Sequence, residues 1–329
     1  MRWKLIGMFC VFILHSHDIL VCTAAEEQIR LGKERSTPLD DEEEVPFIIP
    51  VPTFGGLQVW TDHSYQQGYR IQHNTVTDHW RLIDSSNRRW TWGTREHCEV
   101  LLQKQIKRSP PESDSQHCVV LIHGLMRTRN SMIPLRDVLR KKCDREVVCF
   151  SYASSRATIG QHAEALREFL ESFPSTQTFS FVGHSMGNIV IRRLIADLQV
   201  DLENHELLER CKRMVMLGPP NQGSTIARCL SSFGLFEQIA GEGAMELGPK
   251  WEQFVKSLAT PPFPFLIVAG ETQPSGFQNP LLEGASDFVV EVDEARLEGS
   301  HSFVTVPVLH SFLMDDARVQ DIITQFLCH

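Results

Sequence analysis

Short, strongly apolar runs recur along the second half of the chain and alternate with stretches whose apolar residues have helical spacing. The runs lie at Cys118–Ile122, Val147–Phe150, Phe179–Val182, Met214–Leu217, Phe265–Val268 and Phe303–Val306. Such runs are typical of strands buried on both faces, as in a parallel sheet. The helical patterns lie at Ser131–Lys142, Ile159–Phe173, Asn188–Val200 and Val319–Leu327. This alternation predicts repeated βα units, and therefore a mostly parallel sheet with helices on both faces.

The preceding part of the chain has a different pattern. Residues 26–45 are polar and charged and end in the acidic run 40–44, which is typical of an exposed linker. Four short strands separated by turns are predicted at Gln58–Thr61, Tyr69–Gln72, His79–Ile83 and Arg89–Trp92. Thr94 is expected to cap a helix that ends at Lys107. The four tryptophans of this segment are interpreted as packing a small sheet, with a ligand-stacking face as the alternative.

The N-terminus has the pattern of a targeting segment. Arg2 and Lys4 precede the apolar run 5–14, and small residues follow at 23–25. This order is typical of a secretory signal peptide, cleaved after Ala24 or Ala25. The apolar run is short for a membrane span, so an uncleaved anchor is the alternative. The sequence therefore predicts a signal peptide at 1–25, an acidic linker and tryptophan-rich β segment with one helix at 26–115, and an α/β domain at 116–329.

Composition and charge narrow the function classes. The 329 residues are 42% hydrophobic and 22% charged, as in ordinary globular proteins. The net charge of −9 carries no electrostatic signature of nucleic-acid binding, so no nucleic-acid partner is expected.

The cysteines suggest neither a metal site nor a redox site, since no C-x-x-C occurs. Nine cysteines are present, and removal of Cys10 and Cys22 with the signal peptide would leave an odd number. At least one thiol would then have no partner within the chain. Cys118 and Cys149 lie in apolar strands and are expected to be small buried hydrophobes. A disulfide between Cys143 and Cys149 is the alternative.

The motif G-x-S-x-G occurs at Gly183–Gly187, between a predicted strand and a predicted helix. A serine on such a sharp turn has its hydroxyl exposed, and the start of the helix directs the N–H of Met186 toward developing negative charge. Ser185 is therefore a candidate nucleophile. The alternative is a glycine- and serine-containing turn without chemistry, unless a base and an acid follow in the right order.

Polar residues that follow the other predicted strands include a candidate acid and a candidate base in the right order. Ligands of an open parallel sheet bind at the carboxyl ends of its strands. After the first strand, Gly124 permits a tight turn that lets the N–H of Leu125 act as a second oxyanion donor, with His123 as a structural brace. Asp287 and His310 follow in the order acid, then base, so that His310 could take the serine proton while Asp287 orients the imidazole.

Other residues compete for these roles. His301 is the other late histidine, and Asp293 and Glu291 compete with Asp287. Asp315 and Asp316 compete as well, but they follow His310 and would break the expected order. The remaining candidates are interpreted as surface or structural histidines: His117, His162, His184 and His205.

Four stretches together resemble the bacterial lipase/esterase branch of the α/β-hydrolase superfamily. They are Leu121–Leu125, Val182–Asn188, Met216–Ser224 and Leu309–Met314. The resemblance covers about residues 116–329 and implies the α/β-hydrolase fold, with hydrolysis of carboxylic esters. It implies Ser185 as nucleophile, Asp287 as acid and His310 as base, with the backbone N–H groups of Leu125 and Met186 as the oxyanion hole. The chain departs from the family pattern at two positions. Phe288 stands where a glycine often follows the acid. Asn188 stands where a second glycine often follows the turn that carries the nucleophile.

The resemblance also has implications for the substrate and for other ligands. It implies a small-molecule or lipid ester as substrate, no metal or cofactor, and leaves peripheral membrane contact and oligomeric state open. Thioester or amide hydrolysis and acyl transfer would use the same residues, and a non-catalytic binding module is a further alternative. The segment Thr225–Pro264 is predicted to form a small cap, in which Phe233, Leu235, Phe236 and Ile239 line an acyl site or form the cap's own core. The signal peptide predicts a secreted or periplasmic protein.

Overall fold

The computed structural model describes residues 51–52, 57–107, 116–143, 145–201, 205–231, 240–272 and 279–328. The predicted signal peptide and the acidic run at 40–44 lie outside these residues. Within the described ranges, no helix combines the length and the hydropathy that crossing a bilayer requires.

The N-terminal part forms an antiparallel sheet followed by one helix. Its strands are β1 (Val51–Pro52), β2 (Trp60–Gln66), β3 (Tyr69–Asn74), β4 (Trp80–Ile83) and β5 (Arg88–Gly93), in the order β1-β5-β4-β3-β2. The helix α1 spans Arg95–Ile106, and the hydroxyl of Thr94 accepts a hydrogen bond from the N–H of His97 at 3.3 Å, as an N-cap does. The predicted small β-rich N-terminal segment is confirmed.

The second sheet consists of parallel strands. They are β6 (His117–Ile122), β7 (Glu146–Phe150), β8 (Thr178–His184), β9 (Cys211–Leu217), β10 (Phe265–Gly270) and β11 (Ser302–Val306), in the order β11-β10-β9-β8-β6-β7. Every neighbouring pair runs parallel. The unbroken apolar run of β6 is explained by its position, because residues 118–122 are buried on both faces of the sheet.

Helices cover both faces of this sheet. They are α2 (Ile133–Lys142), α3 (Ile159–Glu171), α4 (Met186–Val200), α5 (His205–Arg210), α6 (Thr225–Ser231), α7 (Glu242–Leu247), α8 (Trp251–Phe254) and α9 (Ala317–Cys328). Val120 and Ile122 of β6 belong to the apolar core that includes α3 and α4, whereas Val119 and Leu121 belong to the core that includes α2 and α9. The predicted layered α/β architecture is therefore confirmed. The short helix α5 was not predicted, since its six residues are too few for a periodic pattern.

Three hydrogen bonds join β2 of the N-terminal sheet to the residues that directly follow β7. The N–H of Asp62 in β2 donates to the carbonyl of Ser151 at 2.8 Å, and the N–H of Ser151 donates back to the Asp62 carboxylate at 2.9 Å. The N–H of Ala153 donates to the Thr61 hydroxyl at 3.1 Å. Because these residues directly follow β7, the bonds hold β2 against the end of the parallel sheet.

The tryptophans of this segment pack mainly within it. The Arg81 guanidinium lies 3.9 Å from the ring centre of Trp60, and Trp80 and Trp90 make edge contacts with His63 and Tyr69. Trp92, by contrast, is 63% exposed. The contacts of the first three agree with the packing interpretation.

The cysteine pairing differs from the alternative considered for Cys143. Its partner is Cys328 at the end of α9, with a Cα–Cα distance of 5.6 Å, and not Cys149. Cys118 and Cys149 are buried thiols, as expected. The pairing with Cys149 is wrong because that residue lies inside β7 and is buried in the sheet, whereas α2 and α9 pack side by side and bring residues 143 and 328 together.

The disulfide is expected to stabilise the fold strongly, because it closes a loop with a sequence separation of 185 residues. Replacing both Cys143 and Cys328 with serine should lower the free energy of unfolding by about 2–5 kcal/mol. Guanidinium unfolding with and without a reductant measures the effect. The reductant should destabilise the wild type and leave the double variant unchanged, and an equal response of the two proteins would contradict the pairing.

Candidate active site

Ser185 lies on a sharp turn between β8 and α4. Its backbone has φ 53° and ψ −126°, a strained conformation for a residue with a side chain. Gly187 allows the turn to pack closely against the end of β6, since a Cβ there would lie 2.6 Å from the carbonyl oxygens of Ile122 and His123. The G-x-S-x-G motif thus forms the strand-to-helix elbow that its sequence context predicts.

Asn188 braces this elbow from within the helix. Its side-chain N–H₂ donates to the carbonyl of Ser185 at 3.0 Å and to the carbonyl of Leu217 at 3.2 Å. The amide therefore connects the turn to the end of the neighbouring strand β9. The departure from a second glycine at this position has a structural explanation, because glycine could make neither bond.

Asp287 and His310 are joined by two hydrogen bonds. The Nδ1–H of His310 donates to Oδ2 of Asp287 at 2.6 Å, and the backbone N–H of His310 donates to the Asp287 carbonyl at 2.9 Å. The other carboxylate oxygen, Oδ1, accepts from the N–H groups of Val289 and Val290 at 3.0 and 2.7 Å. The carboxylate is thus fixed in one orientation, and Nε2 is the imidazole nitrogen that remains to accept a proton.

His184 holds the backbone of His310, a role that sequence reasoning did not foresee. The Nε2–H of His184 donates to the His310 carbonyl at 3.0 Å, and the two ring centres are 4.6 Å apart. Burial, with a further contribution from His310, lowers the pKa of His184 well below its ordinary value. His184 therefore stays neutral and positions His310. Its place inside the G-x-S-x-G motif was the available signal, since that position lies beside the nucleophile.

The loop after β6 approaches the elbow. Met126 has φ 55°, and its N–H donates to the hydroxyl of Ser154 at 3.0 Å. The buried ring of His123 stacks on Tyr152 and its Nδ1–H donates to the Gly124 carbonyl at 2.9 Å, consistent with a brace. Burial lowers the pKa of His123 to about 4, so this ring is neutral.

Two backbone N–H groups near Ser185 are unused hydrogen-bond donors among the described residues. Within the described part of the chain, the N–H groups of Leu125 and Met186 donate to no residue. Leu125 and Ser185 both line one cavity, and Met186 directly follows Ser185. Their role as an oxyanion hole stays a prediction, to which this pair of unused donors is suited.

One mostly apolar cavity connects these groups. Ser185, Asp287 and His310 all line it. Apolar residues of the predicted cap line it as well: Ile226, Ala227, Ala240, Ala244 and Leu247. The four cap residues singled out from the sequence, at 233, 235, 236 and 239, lie outside the described residues. The three predicted catalytic side chains therefore meet at one apolar cavity, and their catalytic roles stay predictions.

The competing residues lie elsewhere. His301 is exposed and packs against Phe326 at 5.9 Å between ring centres. Asp293 is exposed and pairs with Arg296 at 3.0 Å, whereas Glu291 accepts hydrogen bonds from backbone N–H groups. None of the three lines the cavity that holds Ser185. His162 is buried, and burial lowers its pKa to about 3, which fits a structural role.

Phe288 adopts a backbone conformation that favours glycine. Its φ is 85°, and its side chain is buried in the wall of the cavity. Glycine often occupies this position in the resembling family, and the positive φ explains why. Placing an aromatic ring beside Asp287 therefore costs about 1–3 kcal/mol of local backbone strain.

Gly124 is expected to be essential for the geometry of the rim. A Cβ at this position would lie 2.9 Å from Cβ of Ser185 and 3.0 Å from Nδ1 of His184. Gly124→Ala should therefore displace the elbow and lower kcat/KM for a reactive ester by about 10²-fold, the effect of a shift of about 1 Å. Gly160→Ala is the matched control, because its nearest neighbour would be 3.8 Å away. Equal activity of the two variants would contradict the close approach.

Comparisons with known proteins agree with this architecture. Residues 112–219, about a third of the chain, match the family described as "Putative serine esterase (DUF676)". Comparison with curated protein sequences gives no match.

Several solved structures are similar. The mature form of the Bacillus licheniformis lipase BlEst2 has a TM-score of 0.51 and 16% identity, over 67% of this chain and 96% of that one. Its propeptide form has a TM-score of 0.52 and 17% identity, over 67% and 52%. The metagenomic carboxyl esterase MGS0156 has a TM-score of 0.46 and 16% identity, over 61% and 68%. With its parallel sheet, helices on both faces and a serine at a strand-to-helix elbow, the chain has the α/β-hydrolase fold.

Proposed function

We propose that the protein is a serine hydrolase that cleaves carboxylic esters through an acyl-enzyme intermediate. One observation carries the proposal: a serine on a strained elbow and a carboxylate-bound histidine border the same apolar cavity. A solvated serine turn would need neither the strain nor the buried Asp287–His310 pair.

Each step has a candidate group. Nε2 of His310 takes the proton as Oγ of Ser185 attacks the carbonyl carbon. Asp287 keeps the proton of Nδ1 in place, so that the imidazole has the right tautomer and its positive form is stabilised. The N–H groups of Leu125 and Met186 stabilise the tetrahedral oxyanion. His310 then protonates the leaving alcohol, and a water molecule releases the acyl group by the reverse sequence.

The substrate proposed for this site is an ester with an apolar acyl group. The cap side of the cavity is formed by aliphatic side chains from α6 and α7, together with Ala240. An apolar acyl chain gains free energy from burial against such a wall, whereas a charged acyl group loses hydration there. The match of residues 112–219 to a family described as a serine esterase, and the likeness to the lipase BlEst2, support the same class of reaction.

We also propose that the protein works in an oxidising compartment. The Cys143–Cys328 disulfide supports this, because such bonds persist mainly in secreted and periplasmic proteins. The predicted signal peptide at 1–25 points to the same location.

A panel of p-nitrophenyl esters graded in acyl length tests the proposal. Activity should rise from acetate to a medium chain, and a fluorophosphonate probe should label the protein at Ser185. Matched thioesters and amides separate the alternative hydrolase activities, and an alcohol acceptor reveals acyl transfer. The absence of both turnover and labelling in folded protein would favour a non-catalytic binding module.

A further inference from the structure

A second cavity lies between the N-terminal sheet and the edge strand β7. Tyr65, Gly68 and Arg70 line one side of it, and residues of α2, of β7 and of the turn around Arg129 line the other. Its volume is about 110 Å³, whereas a single water molecule needs about 10–15 Å³ on the same scale. It shares no lining residue with the cavity that holds Ser185.

The wall of this cavity is strongly basic. Arg70, Arg129, Arg136 and Arg140 all line it, and no carboxylate is found among the described residues that do. A guanidinium group presents a planar fork of donors that matches the oxygens of phosphate. Four guanidinium groups around one small cavity are an arrangement suited to binding an anion.

Arg129 is the central group of this set. It is only 7% exposed, yet its NH2 group donates to the side-chain oxygen of Asn87, which is a neutral amide. Burial, with a further contribution from Arg70, lowers the pKa of Arg129 to about 10. The guanidinium is thus charged at neutral pH and is buried beside other cations, without a carboxylate of its own.

The nearby carboxylate, Asp62, already accepts three hydrogen bonds. Asp62 accepts from Arg70 and from the N–H of Ser151 at one oxygen, and from Gln72 at 2.6 Å at the other. Arg81, also buried, has its pKa lowered to about 9 by burial and by Arg129. Of the fully buried acids in the described ranges, only Asp62 lies here; Asp287 lines the first cavity and Glu294 binds Thr225 at the start of α6. Three buried guanidinium groups therefore share one carboxylate, an arrangement that a bound anion would stabilise.

The outer two arginines leave donors available. Arg140 is exposed and donates to the carbonyl of Val147 at 2.9 Å, a neutral partner. Arg136 pairs with Asp137 at 2.8 Å near the solvent. Both lie on α2, at the open side of the cavity, where an entering anion would meet them first.

We propose that this arginine-lined cavity binds a small tetrahedral oxyanion, either free phosphate or the terminal phosphate of a small monoester. The bound anion is held by Arg129 and Arg70 from the buried side and by Arg140 from the open side. It joins the N-terminal sheet to α2 and thereby stabilises the contact between the two parts of the chain.

Thermal unfolding with inorganic phosphate tests the proposal, against chloride at equal ionic strength. Saturating phosphate should raise the Tm of the wild type by about 5 °C. Arg129→Gln should abolish this rise. Arg140→Gln, an exposed change that leaves the buried cluster intact, should weaken phosphate binding by about 10-fold and keeps the test decisive if Arg129→Gln does not fold.

Arg318→Gln is the matched control, because Arg318 is an exposed arginine of α9 that pairs with Asp316. It should keep the full shift, which separates binding from the general stabilising effect of phosphate on proteins. An equal shift in all four proteins, or none in the wild type, would overturn the proposal. Binding that appears only after the acidic run 40–44 is neutralised would assign the cavity to the chain's own carboxylates and would also overturn it.

Glycerol 3-phosphate distinguishes the two sources of the anion. A shift with both probes supports a site for phosphate monoesters, and a shift with inorganic phosphate alone supports a site for the free ion. Ser185→Ala should keep the shift, so the result does not depend on the proposed esterase activity.

Discussion

Replacing Ser185 with alanine is expected to lower kcat for ester hydrolysis by about 10⁴-fold or more. Without the hydroxyl no acyl-enzyme can form, and only the proposed oxyanion donors and the cavity remain to assist a water molecule. The loss corresponds to about 5.5 kcal/mol of transition-state stabilisation. Turnover of a p-nitrophenyl ester and labelling by a fluorophosphonate probe both measure it. The fold should be unaffected, because the hydroxyl makes no capping bond to α4 and alanine is smaller.

Ser311→Ala is the control for this experiment, since Ser311 lines the same cavity but is not on the elbow. It should keep most of the activity and all of the probe labelling. Near-normal turnover in Ser185→Ala would refute the assignment of the nucleophile. Loss of labelling in Ser311→Ala instead would transfer the role to that residue.

Asp287→Asn is expected to lower kcat by about 10⁴-fold, the effect known for the equivalent change in a serine protease triad. The geometry explains why. The N–H groups of Val289 and Val290 both donate to Oδ1, so the amide oxygen of asparagine must stay at that position. The amide N–H₂ then faces Nδ1 of His310 and donates to it. The imidazole proton is thereby moved to Nε2, and the ring can no longer accept the serine proton.

Asp293→Asn provides the matched control for the acid. Asp293 is exposed, pairs with Arg296 and competes with Asp287 in the sequence alone. It should keep near-normal kcat. A greater loss in Asp293→Asn than in Asp287→Asn would mean that the wrong carboxylate had been assigned.

Much of the fold could be predicted because many of its strands and helices follow from patterns of neighbouring residues. The run 118–122 is apolar without a break since both faces of β6 are covered, and that pattern is visible in the sequence. The elbow at Ser185 could be predicted for the same reason, because its strand, glycines and helix are contiguous. The order of Ser185, Asp287 and His310 then indicated which distant side chains should meet at one edge of the sheet.

Other features depend on contacts that no local pattern contains. Cys143 and Cys328 are 185 residues apart, and only the packing of α2 against α9 brings them together. The positive φ of Phe288 contradicts its residue type, so its value could not be predicted from the neighbouring residues. The hydrogen bond from His184 to the His310 carbonyl likewise depends on the final arrangement of two loops.

The bonds between β2 and the residues after β7 have a consequence for shortened forms of the protein. A fragment that starts at residue 116 would leave the N–H groups of Ser151 and Ala153 without their acceptors, the Asp62 carboxylate and the Thr61 hydroxyl. A stable shortened form of the protein is therefore expected to need residues 57–107. Calorimetry of the intact chain should accordingly record one cooperative transition, with no early melting of the N-terminal sheet.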